Sequence, residues 1–103
     1  MNEEINNLLN VKGVEGVILT SKDGLYIKGN INKIDENVVS AIISAIIGRA
    51  GELGNMINDN VKYVIIGGDS SKIMLFNCGE KIVGVVGNVL LEDIKDKVLT
   101  LFS

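Results

Sequence analysis

The chain of 103 residues reads as one mixed α/β (α+β) domain spanning residues 1–103, with helices on both faces of a five-stranded, mainly antiparallel sheet. Three observations predict this. Asp23-Gly24 stands between two apolar, β-rich runs, a strong signal for a hairpin. The stretch from Asp35 to Asn58 is aliphatic with helical rather than alternating periodicity. Three further β-rich runs follow it, separated by short polar, glycine-containing turns, so neighbouring strands join as hairpins and pair antiparallel.

In order, Asn2 to Asn10 forms a short first helix with Ile5, Leu8 and Leu9 on one side, ended at Lys12-Gly13. Val14 to Ser21 is mostly apolar and suits a central strand; Lys22-Asp23-Gly24 turns it into a second strand, Leu25 to Gly29. Asp35 is placed to cap the long helix, and Glu36 complements its dipole. Val61 to Gly67, Lys72 to Cys78 and Lys81 to Gly87 are the third, fourth and fifth strands. From Asn88 to about Phe102 a last amphipathic helix presents Leu90, Leu91, Ile94, Val98, Leu101 and Phe102. The order is α-β-β-α-β-β-β-α.

The long helix carries the assembly signal. At about 100° per residue, its apolar positions from Val38 to Ile57 cover an arc of roughly 200°, where a surface helix of a small domain needs roughly 100°. One side is expected on the domain's own sheet and another on a second copy or a partner. Opposite the arc lie Ser40, Ser44, Gly48, Gly51 and Asn55, nearly all small. Two readings stand: close helix–helix approach across a dimer, or a helix that ends near Gly51 or Gly54 with glycine after the last turn. Arg49 projects into the apolar arc, either as a polar anchor at an interface or as a stem that snorkels to water. Val61 to Ile66 bears Lys62 as its only charge, and a short, uncharged edge strand invites pairing with another chain. The expected interface therefore comprises Ser40, Ser44, Ile47, Gly48, Arg49, Gly51, Val61, Tyr63 and Ile65.

Composition narrows the chemistry. Hydrophobic content is 47% with only 4% aromatic residues, so the core is built from Ile, Val and Leu. A net charge of −3 with little aromatic surface for base stacking argues against a nucleic-acid partner. The longest apolar run, Val38 to Ile47, is half what a bilayer span requires, and the acidic, polar N-terminus is not a secretory signal, so a cytoplasmic protein is expected. With no His and one Cys, ordinary zinc sites and His-based triads are excluded; Cys78 reads as a structural thiol. The glycines form no phosphate-binding loop: Gly79-Glu80-Lys81 lacks the first glycine and the Ser/Thr, and Gly67-Gly68-Asp69-Ser70-Ser71 precedes a strand rather than a helix. Glu92, Asp93 and Asp96 alternate with Lys95 and Lys97 as a solvated face. No residue constellation supports an enzyme, and no cofactor is expected.

The chain resembles the roadblock/LC7 family of small regulatory domains over nearly its whole length. The likeness rests on VKGVEGVILTSKDGLYIKGN at Val11–Asn30, on the helix VVSAIISAIIGRAGELG, and on the closing strands with GEKIVGVV. Lys12 stands where the family often has Pro, a loop position. The resemblance implies a profilin-like sandwich that homodimerises, the central helix pairing with its copy and the third strand continuing the sheet across two chains. Family members bind or regulate Ras-like GTPases, or act as adaptors in motor and signalling complexes; prokaryotic relatives include a GTPase-activating protein for a polarity GTPase. The expected function is thus a non-enzymatic homodimeric regulator or scaffold for a small Ras-like GTPase, in a GTPase-activating or adaptor role. The alternatives are a structural adaptor subunit and a small-molecule sensor domain. No arginine finger is carried over by the resemblance, since the family motif does not specify one.

Overall fold

The computed structural model describes residues 2–31 and 34–102. The elements are α1 (Asn2–Leu9), β1 (Val14–Ser21), β2 (Tyr26–Gly29), α2 (Glu36–Met56), β3 (Tyr63–Gly67), β4 (Lys72–Cys78), β5 (Lys81–Gly87) and α3 (Leu91–Phe102), in the order the sequence predicts. Several boundaries shift, α1 ending at Leu9 rather than Asn10 and β2 beginning at Tyr26 rather than Leu25. β3 begins at Tyr63 rather than Val61, and α3 begins at Leu91 because Asn88–Leu90 leaves the sheet as a connection, with the Asn88 amide donating to the Ser70 carbonyl at 2.8 Å.

The strands lie in the order β2-β1-β5-β4-β3, every neighbouring pair antiparallel. Consecutive strands β4 and β5 meet across the Gly79-Glu80 turn, and Asp23-Gly24 closes β1 onto β2; Gly24 takes a φ of 91°, which a side chain would disfavour. The central strands alternate their side chains between the two faces. Val17, Leu19, Met74, Phe76, Val83 and Val85 point to one face, where Ile5 and Leu8 of α1 and Ile94, Val98 and Phe102 of α3 close over them. Ile18, Leu75 and Ile82 point to the other, where Ile43 and Ile47 of α2 cover them. The two faces are unequally sealed. Among the described residues, twelve buried ones form the cluster that includes α1 and α3, and five the cluster that includes α2.

Helix α2 is tied down at both ends. Asp35 caps its start, its carboxylate accepting from the amides of Asn37 (3.0 Å) and Val38 (3.4 Å). Its N-terminal half lies against the β1–β2 turn: the Ser44 hydroxyl donates to the Lys22 carbonyl, and a Cβ at Gly24 would sit 3.3 Å from Ala41 Cα. At the other end the helix runs through Gly51 and Gly54 without stopping, so it does not end at either glycine. It closes at Asn58, which adopts φ 59°, with Asp59 N donating to Gly54 O (3.0 Å) and Asn58 N to Asn55 O (3.2 Å), the paired bonds of a Schellman ending. Gly54 is there for space. A Cβ on it would lie 2.7 Å from Val61 Cγ2 and 2.9 Å from the Asp59 carbonyl.

Gly54→Ala is therefore expected to destabilise by about 1–3 kcal/mol in urea unfolding, through overpacking, although alanine is the better helix former. Asp35→Ala is expected to cost about 1 kcal/mol by loss of the cap.

Candidate functional site

Because α2 buries a narrow side against the sheet, most of its apolar arc remains uncovered. Ser40, Ile43, Ile47 and Gly54 face inward, while Val38 (53% exposed), Ile42 (54%), Leu53 (63%) and Met56 (80%) form a stripe on the outer side. These recur at spacings of three, four and eleven along the helix, within about 60° of one another in angle, and Arg49 stands in the middle of them. Its guanidinium donates to the Glu52 carboxylate at 2.8 Å, one turn on, both side chains in solvent. The one cation in the stripe thus carries its own counter-charge.

The last turn of α2 lies against Val61, just before β3, and β3 is an open sheet edge. β3 pairs with β4 on one side only, leaving the other side of its backbone free. In its register with β4, Tyr63 opposes Phe76 and Ile65 opposes Met74, so both project to the face covered by α1 and α3; Val64 and Ile66, opposite Leu75 and Ile73, project to the α2 face. Between α2 and this corner of the sheet lies an apolar hollow of about 200 Å³, walled by residues that include Ile18, Val39, Ile42, Ile46, Ile66 and Ile73. Ile66 and Ile73 at its mouth are exposed.

The expected interface residues divide accordingly. Ser40 and Ile47 are buried within this domain, and Ser44 is half-buried against the β1–β2 turn, so their small or inward side serves the domain's own close packing. The Ser40 hydroxyl is buried with no hydrogen-bond partner among the described residues. Val61 packs on Gly54. The Tyr63 ring lies 6.2 Å from that of Phe76, with the Lys95 ammonium 5.6 Å from its centre, so its side chain also belongs to this chain. Gly48, Gly51, Arg49 and Ile65 remain accessible. A Cβ at Gly48 or Gly51 would touch nothing within 4 Å, and the two glycines line an open polar groove of about 490 Å³ with Asn55, Asn60, Lys62 and Asn77. Val38, Ile42, Leu53 and Met56, the residues that do lie bare, belonged to the sequence's apolar arc. What marked them was that the arc is too wide for one sheet contact.

Cys78, at the end of β4, is half-buried, and burial pushes its thiol above the ordinary value. Among the described residues, no helix is long and apolar enough to cross a membrane.

A family model described as the Roadblock/LC7 domain matches residues 1–88. The chain belongs to that family. An uncharacterized protein of Methanocaldococcus jannaschii is 40% identical, the match covering 95% of this chain and 77% of that protein. Among solved structures, a Roadblock/LC7 domain from Streptomyces avermitilis superposes with a TM-score of 0.86 at 16% identity, covering 99% of this chain and 91% of the other. MglB of Myxococcus xanthus gives a TM-score of 0.86 at 16% identity over 97% and 86%. Profilin II of Acanthamoeba castellanii gives 0.64 at 15% over 94% and 88%, which shows the expected profilin-like fold.

Gly48→Ala and Gly51→Ala should each stabilise the isolated domain by up to about 1 kcal/mol, measured by urea unfolding at concentrations where sedimentation shows single chains, because the new methyl meets open space. Since burial disfavours the thiolate, Cys78 should alkylate at pH 8 more slowly than free cysteine and reach the free rate once urea unfolds the chain.

Proposed function

We propose that this chain is a non-enzymatic, homodimeric regulator or scaffold for a small Ras-like GTPase, working in the cytoplasm. One observation carries the dimer: an apolar surface, made of the exposed α2 residues on either side of Arg49 and the hollow beside them, lies on a chain whose β3 edge is unpaired. A patch of this kind on a small domain is a contact surface or an aggregation liability. A two-fold interface turns it into an advantage by burying the same patch on both copies. The GTPase part rests on membership of the Roadblock/LC7 family. With no His and Arg49 as its one Arg, a regulator of this composition has little charge to donate and acts by positioning the GTPase's own switch loops.

In sedimentation at micromolar concentration the wild-type chain is expected as a dimer, and Ile42→Glu or Leu53→Asp as a folded single chain with an unchanged circular dichroism spectrum. A dimer that survives both substitutions would move the interface away from α2. For the partner, tagged protein is incubated with lysate containing either a non-hydrolysable GTP analogue or GDP. Recovery of a Ras-like GTPase mainly in one nucleotide state supports a regulator; equal recovery in both supports a scaffold.

A further inference from the structure

We propose that the Asp23–Gly24 peptide is a modification site, where aspartate converts spontaneously to isoaspartate at a rate that α2 controls through Ser44. The sequence singles the position out. Of the aspartates only Asp23 precedes glycine, and no asparagine does. Glycine puts no side chain beside its own amide nitrogen, so that nitrogen reaches the preceding carboxyl group with the least hindrance.

The electrophile is free and the nucleophile is held. Asp23 is exposed, and its carboxylate has no partner among the described residues. Asp35 and Asp59, by contrast, accept from the amides of Asn37 and Asn60. Gly24 N donates to Ser21 O (3.0 Å), inside a turn that Ser21 N closes on Leu25 O (2.9 Å). The turn is pinned from outside as well. Lys22 N donates to Glu80 O (3.0 Å), and the Lys22 carbonyl accepts from the Ser44 hydroxyl. Gly24 lies against α2, since a Cβ on it would sit 3.3 Å from Ala41 Cα and 3.4 Å from Ser44 Cβ. Attack therefore waits for an opening in which Gly24 N leaves Ser21 O and the turn moves off the helix.

The chemistry needs only water. Gly24 N bonds to Cγ of the protonated Asp23 carboxyl group, a Cγ–O bond breaks, and the hydroxyl leaves with the amide proton as water. Water then opens the resulting five-membered succinimide. Addition at Cγ restores aspartate; addition at the main-chain carbonyl breaks its bond to Gly24 N and leaves that nitrogen joined to Cγ. The mass is unchanged, and the main chain is one carbon longer. That carbon falls between the Lys22 carbonyl and Gly24, the two points that touch α2, so the modified turn no longer fits both contacts. The N-terminal half of the helix, with Val38 and Ile42, is loosened.

The test ages full-length wild type and Ser44→Ala in warm neutral buffer, folded and in urea. The tryptic peptide of residues 23–28 is resolved by chromatography, and electron-transfer fragmentation tells isoaspartate from aspartate. Circular dichroism checks that Ser44→Ala is folded, and alanine is the better helix former. Isoaspartate is expected at position 23 in folded wild type, forming more slowly than in urea. Folded Ser44→Ala should form it roughly 2- to 10-fold faster, the factor by which losing one ordinary hydrogen bond favours opening, while the two chains match in urea. Hydrogen exchange over residues 38–44 should be faster in aged wild type than in aged Asp23→Glu, which cannot close the five-membered ring. Equal rates in the two folded chains would overturn control by α2. Folded chains free of isoaspartate, beside a urea sample that converts, would overturn the site, and unchanged exchange would overturn the loosening.

Discussion

The unequal covering of the sheet governs the rest of this structure. Two helices, α1 and α3, close over one face and leave side chains such as Leu8, Phe76 and Ile94 with no solvent contact. The other face has α2 alone. A single helix covers a strip roughly 10 Å wide; α2 lays that strip across all five strands and touches each, so strand ends beyond it, Ile66 and Ile73 among them, stay bare. Part of an aliphatic sheet surface and the flank of an aliphatic helix are left facing one another across a gap, and that gap is the hollow beside Ile42 and Ile66.

Why α2 sits where it does follows from its small residues. Ser44 and Gly24 let the helix approach the β1–β2 turn, and Gly54 lets its last turn approach Val61. Close approach at both ends locks the helix against its own domain and commits its inward side to Ile43 and Ile47. Larger residues at those points would lift the helix away from the sheet. With the position fixed, Val38, Ile42, Leu53 and Met56 have nowhere to go but outward.

The order of elements, the antiparallel hairpins and the aliphatic core were legible in the sequence because each rests on local chemistry: Asp23-Gly24 for a tight turn, short β-rich apolar runs for strands, Asp35 for a helix start. The existence of a contact surface was legible too, since an apolar arc of roughly 200° exceeds what one sheet face can bury. Its placement was not. Small residues such as Ser40 and Ser44 permit close approach whether the neighbour is another chain or the chain's own hairpin, and helical angle alone does not say which. Likewise Tyr63 and Ile65 belong to an edge strand, yet the alternation of the pleat turns their side chains toward α1 and α3.

The sequence by itself determined the family, the fold and the fact that α2 has more apolar surface than its domain can cover, all of which depend on residue type and spacing along the chain. Only the tertiary structure decided which stripe of that helix is left bare and that a hollow opens between the helix and the sheet. Those outcomes depend on how far one helix reaches across a twisted sheet and which of its sides the hairpin turn and Val61 hold down, distances between residues that lie far apart in the chain.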